Sequence, residues 1–139
     1  MSFAINGEFR GVRWDEQVFA EAATGPKLAK AEIENRYDGD LSATGRLEYL
    51  LVYAPSGDVR FEGYERVTGS IGTRKGAFIL RHEGVFTAAK GVDGKVQVLD
   101  DSGVEDFQGI AGRGTIRSNP GEHHGVYTLT GSFGGDPKP

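Results

Sequence analysis

The sequence predicts an all-β protein: a closed, antiparallel, up-and-down barrel of about eight strands. Three observations lead there. Turn signals recur roughly every 8 to 12 residues, the spacing of sandwiches and barrels. Segments between them alternate apolar and polar residues, the period of a half-buried strand. Glycine supplies 22 of 139 residues, about twice the usual share of roughly 7%, without the strict period of collagen. Nearly every connection is short enough for sequence neighbours to pair directly, and closing such a meander removes its exposed edges.

The elements follow in order. SFAINGEFRGVRWDEQVF carries Phe3, Ile5, Val12 and Trp14 around Gly7 and Gly11, which reads as one or two bent strands, with Trp14 at a strand end before the acidic Asp15 and Glu16. VFAEAATGPKLAKAE is the only segment rich in helix formers, but TGP interrupts it, so a loop or single turn is expected. KLAKAEIENRY then alternates, with Leu28, Lys30, Glu32, Glu34 and Arg36 on one parity and Ala29, Ala31, Ile33, Asn35 and Tyr37 on the other. After DGD comes LSATGRLEYLLVYA, which PSGD turns into VRFEGYERVTG. SIGTRKG leads to AFILRHEGVFTAAK, closed by GVDGK; VQVLDDSG, VEDFQGIAGRG and the pair TIRSN and GVYTLTGSF around PGEHH complete the sheet.

Length sets one domain, residues 1–133, because domains run roughly 100 to 200 residues. The tail at 134–139, GGDPKP, has no apolar anchor and is expected to fray. No fixed-length repeat suggests a propeller or solenoid.

A net charge of −4 and a pI near 5.4 argue against a nucleic-acid partner, which requires a clustered basic surface. No apolar run of membrane-spanning length is present, and the start shows no secretory pattern. Cysteine is absent, which excludes disulfides and thiolate metal sites; a cytoplasmic location is the default expectation. His123 and His124 are adjacent, so on a strand they point to opposite faces; a solvated turn is expected there and no metal. The glycine strings GSIGTRKG and GIAGRG precede no helix, as the phosphate-binding fingerprint requires. They read as turns. No nucleophile context supports hydrolase chemistry, and no cofactor is expected.

EYLLVY at 48–53, F-x-G-x-E-R-V-T-G from Phe61 to Gly69 and G-x-F-I-L-R-H-x-G from Gly76 to Gly84 resemble a bacterial domain family of unknown function. WDE at 14–16, ERVTGSIGTRKG and the closing GVYTLTG extend the likeness over most of the chain. The family is grouped by fold with allene oxide cyclase-like, calycin-like barrels. The resemblance implies an eight-stranded antiparallel barrel with a central cavity, assembled into oligomers, and no known reaction. The plant cyclases of that fold convert an unstable fatty-acid epoxide, but no catalytic motif of theirs aligns here.

The residues point to a site within the barrel. In RFEGYERVTG, Phe61, Gly63, Glu65 and Val67 share the inward parity; in AFILRHEGVF, Phe78, Leu80, His82, Gly84 and Phe86 do, because the opposite set holds Arg81 and Glu83. Two hairpin registers satisfy both patterns. One sets Glu65 directly opposite His82, roughly 5 Å between β-carbons, and the other one diagonal step away at about 7 to 8 Å. Two buried ionisable groups are costly unless compensated, and each can compensate the other. Burial disfavours charge and an opposite partner favours it, which leaves their net ionisation open. Glu65 and His82 are therefore either a general base or anchor with its partner, or a structural pair.

A three-residue PSG loop turns Leu47, Tyr49, Leu51 and Tyr53 inward; a shorter or longer loop turns Glu48, Leu50 and Val52 inward instead. Arg46 and Glu48 on the second parity favour the first. Tyr49 and Tyr53 then either offer hydroxyls to a ligand or act as core aromatics. Trp14 either caps the barrel mouth or packs.

The candidate ligand-binding set is thus Glu65, His82, Tyr49, Tyr53, Phe61, Phe78, Leu80 and Trp14. The expected function is binding of a small, largely apolar molecule in the cavity. An isomerase or cyclase using Glu65 and His82, and an oligomeric interaction module, are the alternatives. Outward Leu50, Val52, Ile79 and Val85 suggest self-association, most simply as a homodimer.

Overall fold

The computed structural model describes residues 1–21, 23–122 and 124–134. Among them the chain forms strands only: β1 (Ser2–Ala20), β2 (Lys27–Gly39), β3 (Leu41–Tyr53), β4 (Val59–Ile71), β5 (Arg74–Thr87), β6 (Gly91–Val98), β7 (Val104–Glu105), β8 (Ala111–Ser118) and β9 (His124–Ser132). From β1 to β6 sequence neighbours pair antiparallel, β6 pairs with β8, β8 with β9, and β9 returns to β1. Pairing of β4 with β5 closes the ring. Eight strands therefore form the predicted barrel, and β7 is a two-residue addition on the edge of β5.

The turn chemistry decides several boundaries. Ala54 and Asp58 remain bonded across Pro55, Ser56 and Gly57, so the loop is the three-residue one and Tyr49 faces inward. β1 is one continuous bent strand with register shifts at Gly11/Arg13 and Val18/Ala20. Extra residues at such bulges bend a strand without ending it. Trp14, Asp15 and Glu16 accordingly lie within β1, in place of the expected strand end and acidic loop. GVDGK belongs to β6, because the chain has already turned at 88–90. GIAGRG likewise runs into β8, where Gly112 faces Gly131; these glycines suit close strand approach. In GSIGTRKG only residues 72 and 73 form the turn.

The two barrel ends differ. At the end holding the β4–β5 turn, Leu41, Ile71, Phe78, Val98, Phe107 and Ile110 are all buried. The segment between β6 and β8 supplies Phe107, whose ring packs edge-on against Phe78 at 5.3 Å. Each such buried ring stabilises the fold by roughly 1.5–3 kcal/mol. Tyr127 ties the β2–β3 turn to this end, donating to the Asp38 carbonyl at 3.1 Å and accepting from the Leu41 amide at 2.8 Å. The opposite end is hollow. The tail at 135–139 and His123 lie outside the described residues. Among the described residues no helix is long and apolar enough to cross a membrane.

Candidate functional site in the open half of the barrel

The hollow end contains a cavity of about 790 Å³, within the range of roughly 300–1,000 Å³ typical of small-molecule sites. Phe9, Leu51, Phe61, Phe86, Val92 and Ile116 supply apolar wall, and Asn35, Tyr37, Tyr49 and His82 supply polar groups. β9 accompanies β1 only as far as Arg10, which pairs with His124. Beyond that point the mouth runs between Val12 to Trp14 and Gly121 to Glu122. A second recess of about 610 Å³ lies on the outer face of β2 to β5, among Lys30, Glu32, Glu48, Glu62 and Arg81. Those side chains are solvated surface charges, so the interior cavity is the candidate site.

A hydrogen-bonded chain lies at the cavity floor. Glu65 is fully buried and His82 nearly so. Glu65 Oε1 accepts from His82 Nε2 at 2.8 Å and from the Tyr37 hydroxyl at 2.5 Å, while Oε2 accepts from Asn35 Nδ2 at 3.0 Å. The Tyr49 hydroxyl meets His82 Nδ1 at 3.0 Å. Among the described residues no buried side-chain nitrogen or oxygen lacks a partner. A carboxylate is an acceptor only, and three donors suit it. Charge-assisted hydrogen bonds of this kind offset its desolvation.

Two glycines make the reach possible. Gly45 on β3 stands between Asn35 on β2 and Val67 on β4, and a β-carbon there would fall on Glu65 Oε2. Without one, Asn35 and Tyr37 reach across β3 to Glu65. Gly63 stands directly between Tyr49 and His82 in the ladder. Its missing side chain lets Tyr49 reach across β4.

The register is the diagonal one: Glu65 pairs with Leu80, and His82 with Gly63. Burial pushes the Tyr49 hydroxyl well above its ordinary pKa, and the charge of Glu65 adds to the shift. Tyr37 is raised well above the ordinary value by burial first, then by the charge of Glu65 and the bond to it. Both phenols keep their protons at neutral pH.

At the mouth, Glu16 Oε1 accepts from Trp14 Nε1 at 3.0 Å and Glu16 Oε2 from the Tyr53 hydroxyl at 2.5 Å. Tyr53 is pushed up to about 12, by burial first and then by its bond to Glu16. Trp14 lies edge-on to Tyr49 at 6.4 Å and is 56% exposed. It forms part of the rim.

Of the residues read from sequence, Tyr49, Tyr53, Phe61, His82 and Trp14 line the cavity. Glu65 sits just behind its floor. Phe78 and Leu80 face inward but line no part of it, because their rows lie toward the filled end: Leu80 pairs with Glu65, and Phe78 with Val67. Asn35, Tyr37 and Glu16 complete the polar set and escaped the sequence reading. The inward parity of β2 signalled the first two, since Asn35 and Tyr37 share it with Ala29, Ala31 and Ile33. His124 Nε2 lies 3.8 Å from Glu122 on exposed surface. Among the described residues no group of three or more His, Asp or Glu gathers to hold a metal.

A meander barrel filled at one end and hollow at the other, with a buried polar chain beneath the hollow, defines the structural class. The chain belongs to the family described as a protein of unknown function (DUF3224), whose profile matches residues 5–130. No protein of curated function matches it. Among solved structures it is similar to the crystal structure of a DUF3224 protein of unknown function from Shewanella oneidensis MR-1. The TM-score is 0.80 at 22% identity, covering 96% of this chain and 99% of the other. That likeness shows the fold.

Proposed function

We propose that this protein binds a small, largely apolar molecule in the open half of the barrel. The observation that carries the reading is the coincidence of an apolar and aromatic cavity of about 790 Å³ with a few converging polar groups on its floor. That composition is characteristic of small-molecule sites. Native mass spectrometry of the purified protein, joined to a titration with 1-aminoanthracene, tests it. One molecule of dye bound per chain, with fluorescence enhanced by the apolar wall, is expected. No saturable binding refutes the reading.

The Tyr49, His82 and Glu65 chain supports a second reading, proton-transfer catalysis of the isomerase or cyclase kind. A phenol bonded to an imidazole that is itself held by a carboxylate has the order of an acid–base relay. Glu65→Gln separates the two readings: retained affinity with lost turnover of the bound molecule identifies an enzyme.

A second copy of the chain is the proposed partner for the outer face. Leu28 pairs with Val52, and Arg60 lies between Val52 and Val85 in the ladder. Leu28, Leu50 and Val85 are exposed there. Ile79 stands apart, near the filled end, where Ser102 Oγ accepts from its amide at 3.0 Å.

A further inference from the structure

We propose, building on the cavity-binding reading, that the bound molecule is uncharged and carries a hydroxyl group, which it donates to the phenolic oxygen of Tyr49. The proton inventory of the floor leads to this. Glu65 accepts one hydrogen bond each from Tyr37, Asn35 and His82. The bond from His82 needs a proton on Nε2. In the neutral imidazole Nδ1 is then a bare acceptor, and Tyr49, 3.0 Å away, must direct its single proton to it. Burial and the charge of Glu65 keep that proton on Tyr49. What remains on the Tyr49 oxygen toward the cavity is lone-pair density, which can accept from a donor on the ligand. Tyr37 directs its single proton to Glu65, and Asn35 donates to Glu65 and to the Tyr37 oxygen.

Charge narrows the class further. Among the described residues the only Lys or Arg lining the cavity is Arg13 at the rim. Its side chain is 57% exposed and lies 3.8 Å from Glu34. A ligand carboxylate at the floor would therefore sit one imidazole away from buried Glu65 with no counter-ion, and protonating His82 would still leave one of the two negative charges uncompensated. An ammonium group fares poorly as well. Glu65 lies behind the lining and cannot be contacted, so the cation would lose its water without direct pairing.

Competition against bound 1-aminoanthracene at about pH 8 tests this with 1-octanol, its isomer 1-methoxyheptane, octanoate and octylamine. The ether matches the alcohol in size and can accept but not donate. The alcohol is expected to displace the dye at about fivefold lower concentration than the ether, the size of one net hydrogen bond, and at least about tenfold lower than octanoate or octylamine. In Tyr49→Phe the advantage of alcohol over ether should vanish. The wild-type comparison stands even if that variant does not fold. Equal displacement by alcohol and ether, or strongest displacement by either ion, overturns the hydroxyl assignment and leaves the cavity reading intact. Failure of the dye itself to bind overturns both.

Discussion

Glu65 and His82 lie one diagonal step apart on neighbouring strands, and His82 Nε2 donates to Glu65 Oε1 at 2.8 Å inside a fully buried cluster. Removing either partner strands the other without solvent, so Glu65→Ala and His82→Ala should each cost about 1–3 kcal/mol or more. The double variant should lose less than the sum by at least about 0.5 kcal/mol. Urea unfolding of the four proteins measures it, and additive losses would show that the pair is not coupled.

Gly45 tests how the cluster is housed. Gly45→Ala drives a methyl into Glu65 Oε2, and overpacking of this kind costs about 1–3 kcal/mol. In a Glu65→Ala background the obstruction is gone. The same substitution should then cost at least about 1 kcal/mol less, and an unchanged penalty in the two backgrounds would contradict the close approach.

Alkaline pH should unfold the protein through its tyrosines. Tyr37 and Tyr49 have folded values well above the ordinary 10.0, so below pH 10 their phenols are protonated in both states and stability is flat. Above it the unfolded chain loses protons that the native state retains, and stability falls by up to about 1.4 kcal/mol per pH unit for each. For Tyr53 the window runs from 10.0 to about 12. Absorbance at the phenolate band should show these phenols ionising late, together with the loss of native circular dichroism. Early, independent ionisation of all five tyrosines would refute it.

Val92 lines the cavity and is only half-buried. Val92→Trp should fill the opening and weaken 1-aminoanthracene binding at least about tenfold while leaving far-ultraviolet circular dichroism unchanged. Unaltered affinity would place the dye elsewhere.

Self-association through the outer face predicts a dimer by light scattering at micromolar concentration. Val85→Asp should shift it toward monomer without changing the fold. A wild-type monomer under those conditions removes the proposal.

The sequence by itself determined the strand count, the antiparallel meander and the faces of β4 and β5, because a period of two is a local property that any half-buried strand must show. The parity of Phe61, Val67, Phe78 and Leu80 was enough to place Glu65 and His82 on one inner wall. For β3 the sequence favoured an inward Tyr49, because Arg46 and Glu48 lie on the other parity, but left two phases open. The bond between Ala54 and Asp58 showed the loop to be the three-residue one. Only the tertiary structure decided which register applied, since both kept the apolar faces aligned. It alone revealed that Gly45 and Gly63 are gaps through which Asn35, Tyr37 and Tyr49 reach across an intervening strand: such contacts join residues far apart in the chain, and no local pattern encodes them. It also decided that Phe78 and Leu80 belong to the filled end, because depth along a barrel depends on strand stagger and on where the segment carrying Phe107 folds back, neither of which alternation records.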